Sequence, residues 1–145
     1  MSAERGLDVS DGVSAGTSHV VEVRVDADPG QLSVLRAVIG DLAMRADFDV
    51  DAIADLRLAV DEACSSLVRL ASSGSTLVCR VTPEDSGISV TAEALSDEQA
   101  GPRTDTFSWR VLTALTDTVN AVVDTDDNGQ NVVRLDLTKR RTAGR

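Results

Sequence analysis

Residues 55–70 read Asp-Leu-Arg-Leu-Ala-Val-Asp-Glu-Ala-Cys-Ser-Ser-Leu-Val-Arg-Leu. At the helical period, Leu56, Val60, Ala63, Leu67 and Leu70 fall on one stripe. Glu62 and Ser66 stand one turn apart along the border of that stripe. The stripe has to be covered by another layer of structure, so the helix faces a core. A carboxylate and a hydroxyl side by side at the edge of such a helix mark a place where a small pocket could hold a phosphate and a metal.

Upstream of this stretch, Asp49 is placed to cap the helix, with Phe48 and Ile53 set for a hydrophobic staple. An earlier helix starts at Asp28-Pro-Gly-Gln31, with Asp28 as N-cap and Pro29 at the first position, and carries the stripe Leu32, Leu35, Ile39 and Leu42. His19 to Asp26 alternates, Val21, Val23 and Val25 against Glu22, Arg24 and Asp26, as a half-buried strand does. Residues 1–17 are rich in Ser, Gly and Asp and poor in large apolar residues, and are expected to be a disordered tail.

Downstream, the helix gives out at Ser72-Ser-Gly74. Two alternating strands follow, one with Leu77, Cys79 and Val81 on a face, the other with Ile88, Val90, Ala92 and Ala94, joined by a turn at Pro83-Glu-Asp-Ser-Gly87. Ser96 to Asp105 is a polar loop with Gly101-Pro102. A third helix is predicted from about Phe107 to Asp117. Val119 to Val123 and Val132 to Leu137 form a closing hairpin over Asp126-Asp-Asn-Gly129. The order β-α-α-β-β-α-β-β predicts an α/β (α+β) two-layer sandwich, a mostly antiparallel mixed sheet with three helices on one face. The domain is expected over 18–139, and the basic run Lys139-Arg-Arg-Thr-Ala-Gly-Arg145, residues 140–145 above all, as a solvated C-terminal tail.

At 145 residues with 42% apolar and 2% aromatic content, the chain is one globular domain whose core is Val, Leu, Ile and Ala. No apolar run is long enough to span a bilayer and no signal region opens the chain, which predicts a cytoplasmic protein. Cys64 and Cys79 are expected as buried free thiols. The net charge of −10 argues against nucleic acid as direct ligand and suits a partner with a basic surface. No phosphate-loop, dinucleotide or zinc-protease motif is present, and one His with two distant Cys makes a zinc site improbable. A Ser-His-Asp triad would rest on His19 alone. What is left is carboxylate and phosphate chemistry.

The words Leu56-Arg-Leu-Ala-Val-Asp-Glu-Ala-Cys-Ser-Ser-Leu-Val68 resemble the first ATP-binding box of the RsbW-type anti-sigma-factor serine kinases, within the GHKL superfamily of histidine-kinase-like ATPases. The resemblance runs from His19 to Lys139. It implies the histidine-kinase-like fold, ATP and Mg²⁺ as cofactors, and Glu62 as the catalytic carboxylate that activates an attacking serine hydroxyl. An Asn one turn on normally holds the metal; Ser66 stands there. Ser66 either ligates Mg²⁺ less well, in which case metal binding weakens, or is a neutral surface serine; Glu62 taken by itself reads as an ordinary solvent-facing carboxylate, and the resemblance alone sets the catalytic role beside that reading.

In the family an Asp that reads the adenine amino group follows the third strand. Its place falls at or near Ala94, and Asp97 could serve only through a register shift. The Gly-x-Gly that opens the third helix and cradles phosphates is replaced by Thr106 and Ser108, cofactor-binding positions with Ser66 if the site survives, with Phe107 and Trp109 adding bulk. These departures imply a nucleotide site that is weak or lost. The string Phe107-Ser-Trp-Arg-Val-Leu-Thr-Ala-Leu115 resembles the divergent branch of mycobacterial anti-sigma-F factors.

The resemblance therefore implies a homodimeric anti-sigma factor. It would sequester an alternative, sigma-F- or sigma-B-like, sigma factor and be displaced by a STAS-type anti-anti-sigma protein. The alternatives are a Mg-ATP-dependent serine kinase that phosphorylates that protein, and a small α/β module with another ligand.

Overall fold

The computed structural model describes residues 19–141; the N-terminal tail expected over 1–17 lies outside them. Strand β1 (Val21–Asp26) leads through a 3-10 turn (Pro29–Gln31) into α1 (Leu32–Arg45) and α2 (Val50–Leu70). The hairpin β2 (Thr76–Pro83) and β3 (Gly87–Ser96) follows, then α3 (Phe107–Leu115), then the hairpin β4 (Thr118–Thr125) and β5 (Asn131–Arg140). The five strands lie in the order β1-β2-β3-β5-β4. Every ladder among the described residues is antiparallel, so the mostly antiparallel mixed sheet expected from the sequence has no parallel pair there.

Side chains on a strand alternate between faces, so one register carries the whole core. Val23 faces Cys79, Cys79 faces Ala92, and Ala92 faces Leu135. Leu77, Cys79, Val81, Ile88, Val90, Ala92 and Ala94 are buried, as are Val133, Leu135 and Leu137 on β5. The helices answer with Leu35, Ile39, Leu56, Val60, Ala63, Leu67 and Leu112. A buried Leu or Val of this kind contributes about 1.5–3 kcal/mol. Strand β4, at the far edge, is mostly exposed.

Local chemistry explains the boundaries. Asp49 accepts a hydrogen bond from the Ala52 amide at 2.8 Å and so caps α2. Asp28 does not cap with its side chain: its backbone carbonyl takes the Gln31 amide at 2.9 Å, and the chain enters α1 through the 3-10 turn. The third helix stops at Leu115, two residues before the expected end. Thr116 turns to extended backbone while its hydroxyl bonds the Leu112 carbonyl at 2.7 Å, and Asp117 pairs with β5 through the Thr138 carbonyl and the Arg140 amide. The Asp126–Gly129 turn closes as expected, Asp126 accepting from the amides of Asn128 and Gln130, with Gly129 at φ +80.

The basic cluster is not a solvated tail where it is described. Strand β5 runs to Arg140, and Lys139 sits 3.6 Å from Asp55 on α2. The Arg141 guanidinium donates to the carbonyls of Ala46 and Asp85, and the Arg141 amide to Ser86. The pairing of β3 with β5 carries these residues onto the body of the fold. Residues 142–145 lie outside the described residues.

Cys64 on α2 and Cys79 on β2 are free, buried and hydrogen-bonded to each other. That shared bond, and then burial, hold the Cys64 thiol well above its ordinary range. No helix among the described residues is long and apolar enough to cross a membrane.

Gly87 sits where the backbones of β3 and β5 leave no room for a side chain: a Cβ there would lie 2.1 Å from the Lys139 carbonyl oxygen. Gly87→Ala is expected to force β3 and β5 apart and lower stability by about 1–3 kcal/mol. A urea melt in which Gly87→Ala unfolds at the wild-type midpoint would refute this close approach.

Candidate functional site

The rotation of α2 that buries Leu56, Val60, Ala63 and Leu67 leaves Glu62, Ser66 and Arg69 along one edge, facing the first turn of α3. Ser108, in that first turn, donates from its hydroxyl to Glu62 Oε2 at 2.6 Å. Ser66 Oγ lies 3.3 Å from Ser108 Oγ, and Arg69 Nη2 donates to Ser66 Oγ at 3.1 Å. Ser108 has a single proton and gives it to the carboxylate, so Ser66 donates to Ser108. The donations thus run one way, from the Arg69 guanidinium through two hydroxyls to the Glu62 carboxylate. Arg69 Nη2 also stands 4.0 Å from Glu62 Oε2, closing the chain electrostatically. Charge at both ends polarises the hydroxyls between them. Ser66 is only 8% exposed, which makes this chain the means by which its buried hydroxyl is satisfied.

Beside the chain opens a pocket of about 410 Å³, lined among others by Ser66, Arg69, Arg103, Thr106, Ser108 and Trp109. Glu62 is not in its lining and stands behind Ser108. Thr106 is the N-cap of α3: its hydroxyl accepts from the Trp109 amide at 3.2 Å and donates to the Arg103 carbonyl at 3.3 Å. One of the N–H groups that a helix start can offer to an anion is therefore already used. Arg103 lies on the 97–106 loop and pairs with Asp105 at 2.8 and 3.1 Å, a hydrogen-bonded pair that lowers the Asp105 carboxyl and raises the guanidinium.

The structure thus brings together three of the four residues singled out from the sequence, Glu62, Ser66 and Ser108, in one hydrogen-bonded chain, with Thr106 next to it as a helix cap. The positions where the resemblance would place an adenine-reading Asp do not join them. Ala94 is 4% exposed, paired with Val133 and part of the core. Asp97 is turned to the Ser72 hydroxyl at 2.9 Å and is not in the pocket lining. A register shift cannot deliver it, because Leu95 and Ser96 are already paired with Val132 and Asn131, and Ser96 also bridges to Ala71. Among the described residues no group of three His, Cys, Asp or Glu is placed to hold a metal ion.

Sequence reasoning did not single out Arg69 or Arg103. Arg69 carried a usable signal, since it follows Ser66 by three and Glu62 by seven residues and so shares their helix edge. Arg103 carried none, because a loop side chain has no periodicity to place it.

A family model described as a histidine kinase-like ATPase domain matches residues 25–137. Two proteins named anti-sigma-F factor RsbW, from two strains of Mycobacterium tuberculosis, are each 41% identical to the chain over 127 residues. The match covers 86% of this chain and 76% of each relative.

The hydrogen-bond chain predicts energetic coupling across the α2–α3 junction. In a double-mutant cycle of Glu62→Gln and Ser108→Ala, read by urea denaturation, a coupling of about 1 kcal/mol is expected. Strict additivity of the two substitutions would show that the 2.6 Å contact does not hold the helices together.

Proposed function

Because the chain belongs to the histidine kinase-like ATPase domain family, in company with the mycobacterial anti-sigma-F factors, we propose that it is a cytoplasmic anti-sigma factor. It binds an alternative sigma factor stoichiometrically and keeps it from RNA polymerase. A STAS-type anti-anti-sigma protein competes for it and releases the sigma factor, and the working unit is a homodimer. The acidic balance of the chain suits a partner whose DNA-contacting surface is basic.

One observation favours a binding protein over an enzyme: the chain from Arg69 to Glu62 is closed on itself. A working Mg-ATP site in this fold needs a carboxylate on the adenine, bare backbone at the start of the third helix, a metal ligand one turn after the catalytic Glu, and that Glu free to take a proton. Here Ala94 is in the core, Thr106 caps the helix, Ser66 is held between Arg69 and Ser108, and Glu62 accepts from Ser108. These residues fit Mg-ATP poorly, and the proposed function uses no step through it.

A second reading has one contact in its favour. A serine hydroxyl donating to Glu62 at 2.6 Å is the geometry in which that carboxylate would activate the serine of a protein substrate. In that reading the protein is a serine kinase acting on its anti-anti-sigma partner.

Affinity capture from a lysate of the source organism, followed by size-exclusion chromatography of the purified pair, tests the first reading. A stable complex with an alternative sigma factor is expected, disrupted by an anti-anti-sigma protein and indifferent to Mg-ATP. Failure to bind any sigma factor would overturn it. Adding labelled Mg-ATP to the same mixture separates the second reading: transfer to the anti-anti-sigma protein, lost in Glu62→Gln with sigma binding kept, would establish a kinase. None is expected.

A further inference from the structure

The pocket beside the hydrogen-bond chain is formed although the features that would admit a nucleotide are not. Its walls are unlike those of a polar phosphate cradle. Leu70, Ala100, Pro102 and Trp109 supply an apolar surface, with Arg69 and Arg103 set into it. Arg69 uses one nitrogen, Nη2, on Ser66 and Glu62; its remaining N–H groups make no hydrogen bond among the described residues. Arg103 is paired with Asp105 at a site where both side chains are mostly exposed, and such pairs exchange partners at little cost. Glu98 is the one acidic residue in the lining, while Asp105 and Glu62 stand against the two arginines from outside it.

An apolar wall with an aromatic ring and guanidinium groups matches a ligand with a flat apolar body and an anionic head. A guanidinium takes a carboxylate, sulfonate or phosphate through two parallel N–H groups, and an indole face takes the flat body. An adenine would find no acceptor for its amino group at Ala94. We infer that the pocket between α2, α3 and the 97–106 loop is a binding site for a small aromatic organic anion, held by Arg69 and Arg103 and stacked on Trp109. This inference rests on the reading that nucleotide is not the resident ligand, and it is independent of sigma binding.

Trp109 is the only tryptophan and the chain has no tyrosine, so its emission reports on the pocket directly. The probe is 1-anilinonaphthalene-8-sulfonate, titrated into the full chain and compared with N-phenyl-1-naphthylamine, which has the same rings without the sulfonate. Saturable one-to-one quenching of Trp109 is expected, with the neutral dye binding about tenfold more weakly. Arg69→Met and Arg103→Met, both on exposed side chains, should each weaken the sulfonate by several-fold and leave the neutral dye unchanged. Equal binding of the two dyes, or no response to either substitution, would overturn the inference. Mg-ATP displacing the sulfonate at concentrations below the dye's own would also overturn it, and with it the reading that the nucleotide site is lost. Loss of sigma capture with the dye binding intact would break the proposed function alone.

Discussion

Burial of Leu56, Val60, Ala63 and Leu67 against the sheet fixes how α2 can rotate about its axis, and that rotation decides where Glu62, Ser66 and Arg69 face. A helix of 21 residues carried by one apolar stripe has a single low-energy orientation, because turning it by one residue would bury a carboxylate and expose a leucine. The same constraint passes to the sheet. Its row of Val23, Cys79, Ala92 and Leu135 is the surface that receives the stripe, and a slip of one residue in any strand would turn that row outward. Everything at the site is therefore set by packing that is apolar and remote from the chemistry.

On that rigid support a short polar chain joins α2 to α3. Its order, guanidinium to hydroxyl to hydroxyl to carboxylate, satisfies the nearly buried Ser66 and gives Glu62 a donor without removing its charge. The arrangement also suits a serine, rather than an asparagine, at position 66. An asparagine amide would offer a carbonyl and two donors in a fixed plane. A hydroxyl offers one donor that can turn toward Ser108 and one acceptor for Arg69. Ser66, Ser108 and Arg69 thus form a matched set, and each is informative only with the others in view.

The parts of the molecule that can be read from sequence are those governed by period. The stripe on α2, the cap at Asp49, the alternation on β2, β3 and β5 and the Asp126–Gly129 turn all follow from local rules and are found where those rules place them. The end of α3 is not local: Asp117 and Thr118 leave the helical path because β5 offers them partners at Thr138 and Arg140. The same is true of Arg141, whose anchors at Ala46 and Asp85 come from two different loops. At the site, Glu62 and Ser66 are visible as a helical pair. That Ser108 would reach them requires knowing how α3 lies across α2. The adjacency of Cys64 and Cys79 likewise depends on the docking of a helix on a strand.

At the site, polar groups are turned toward the protein itself. Ala94 packs in the core, Thr106 caps α3, Ser108 donates to the Glu62 carboxylate, and Asp97 accepts from Ser72 at the exit of α2. Such inward contacts tie α2 to α3. A junction tied in this way has fewer groups left to order when something binds against it. Beside that junction the pocket remains an apolar, arginine-bearing cleft, open to whatever its walls can match.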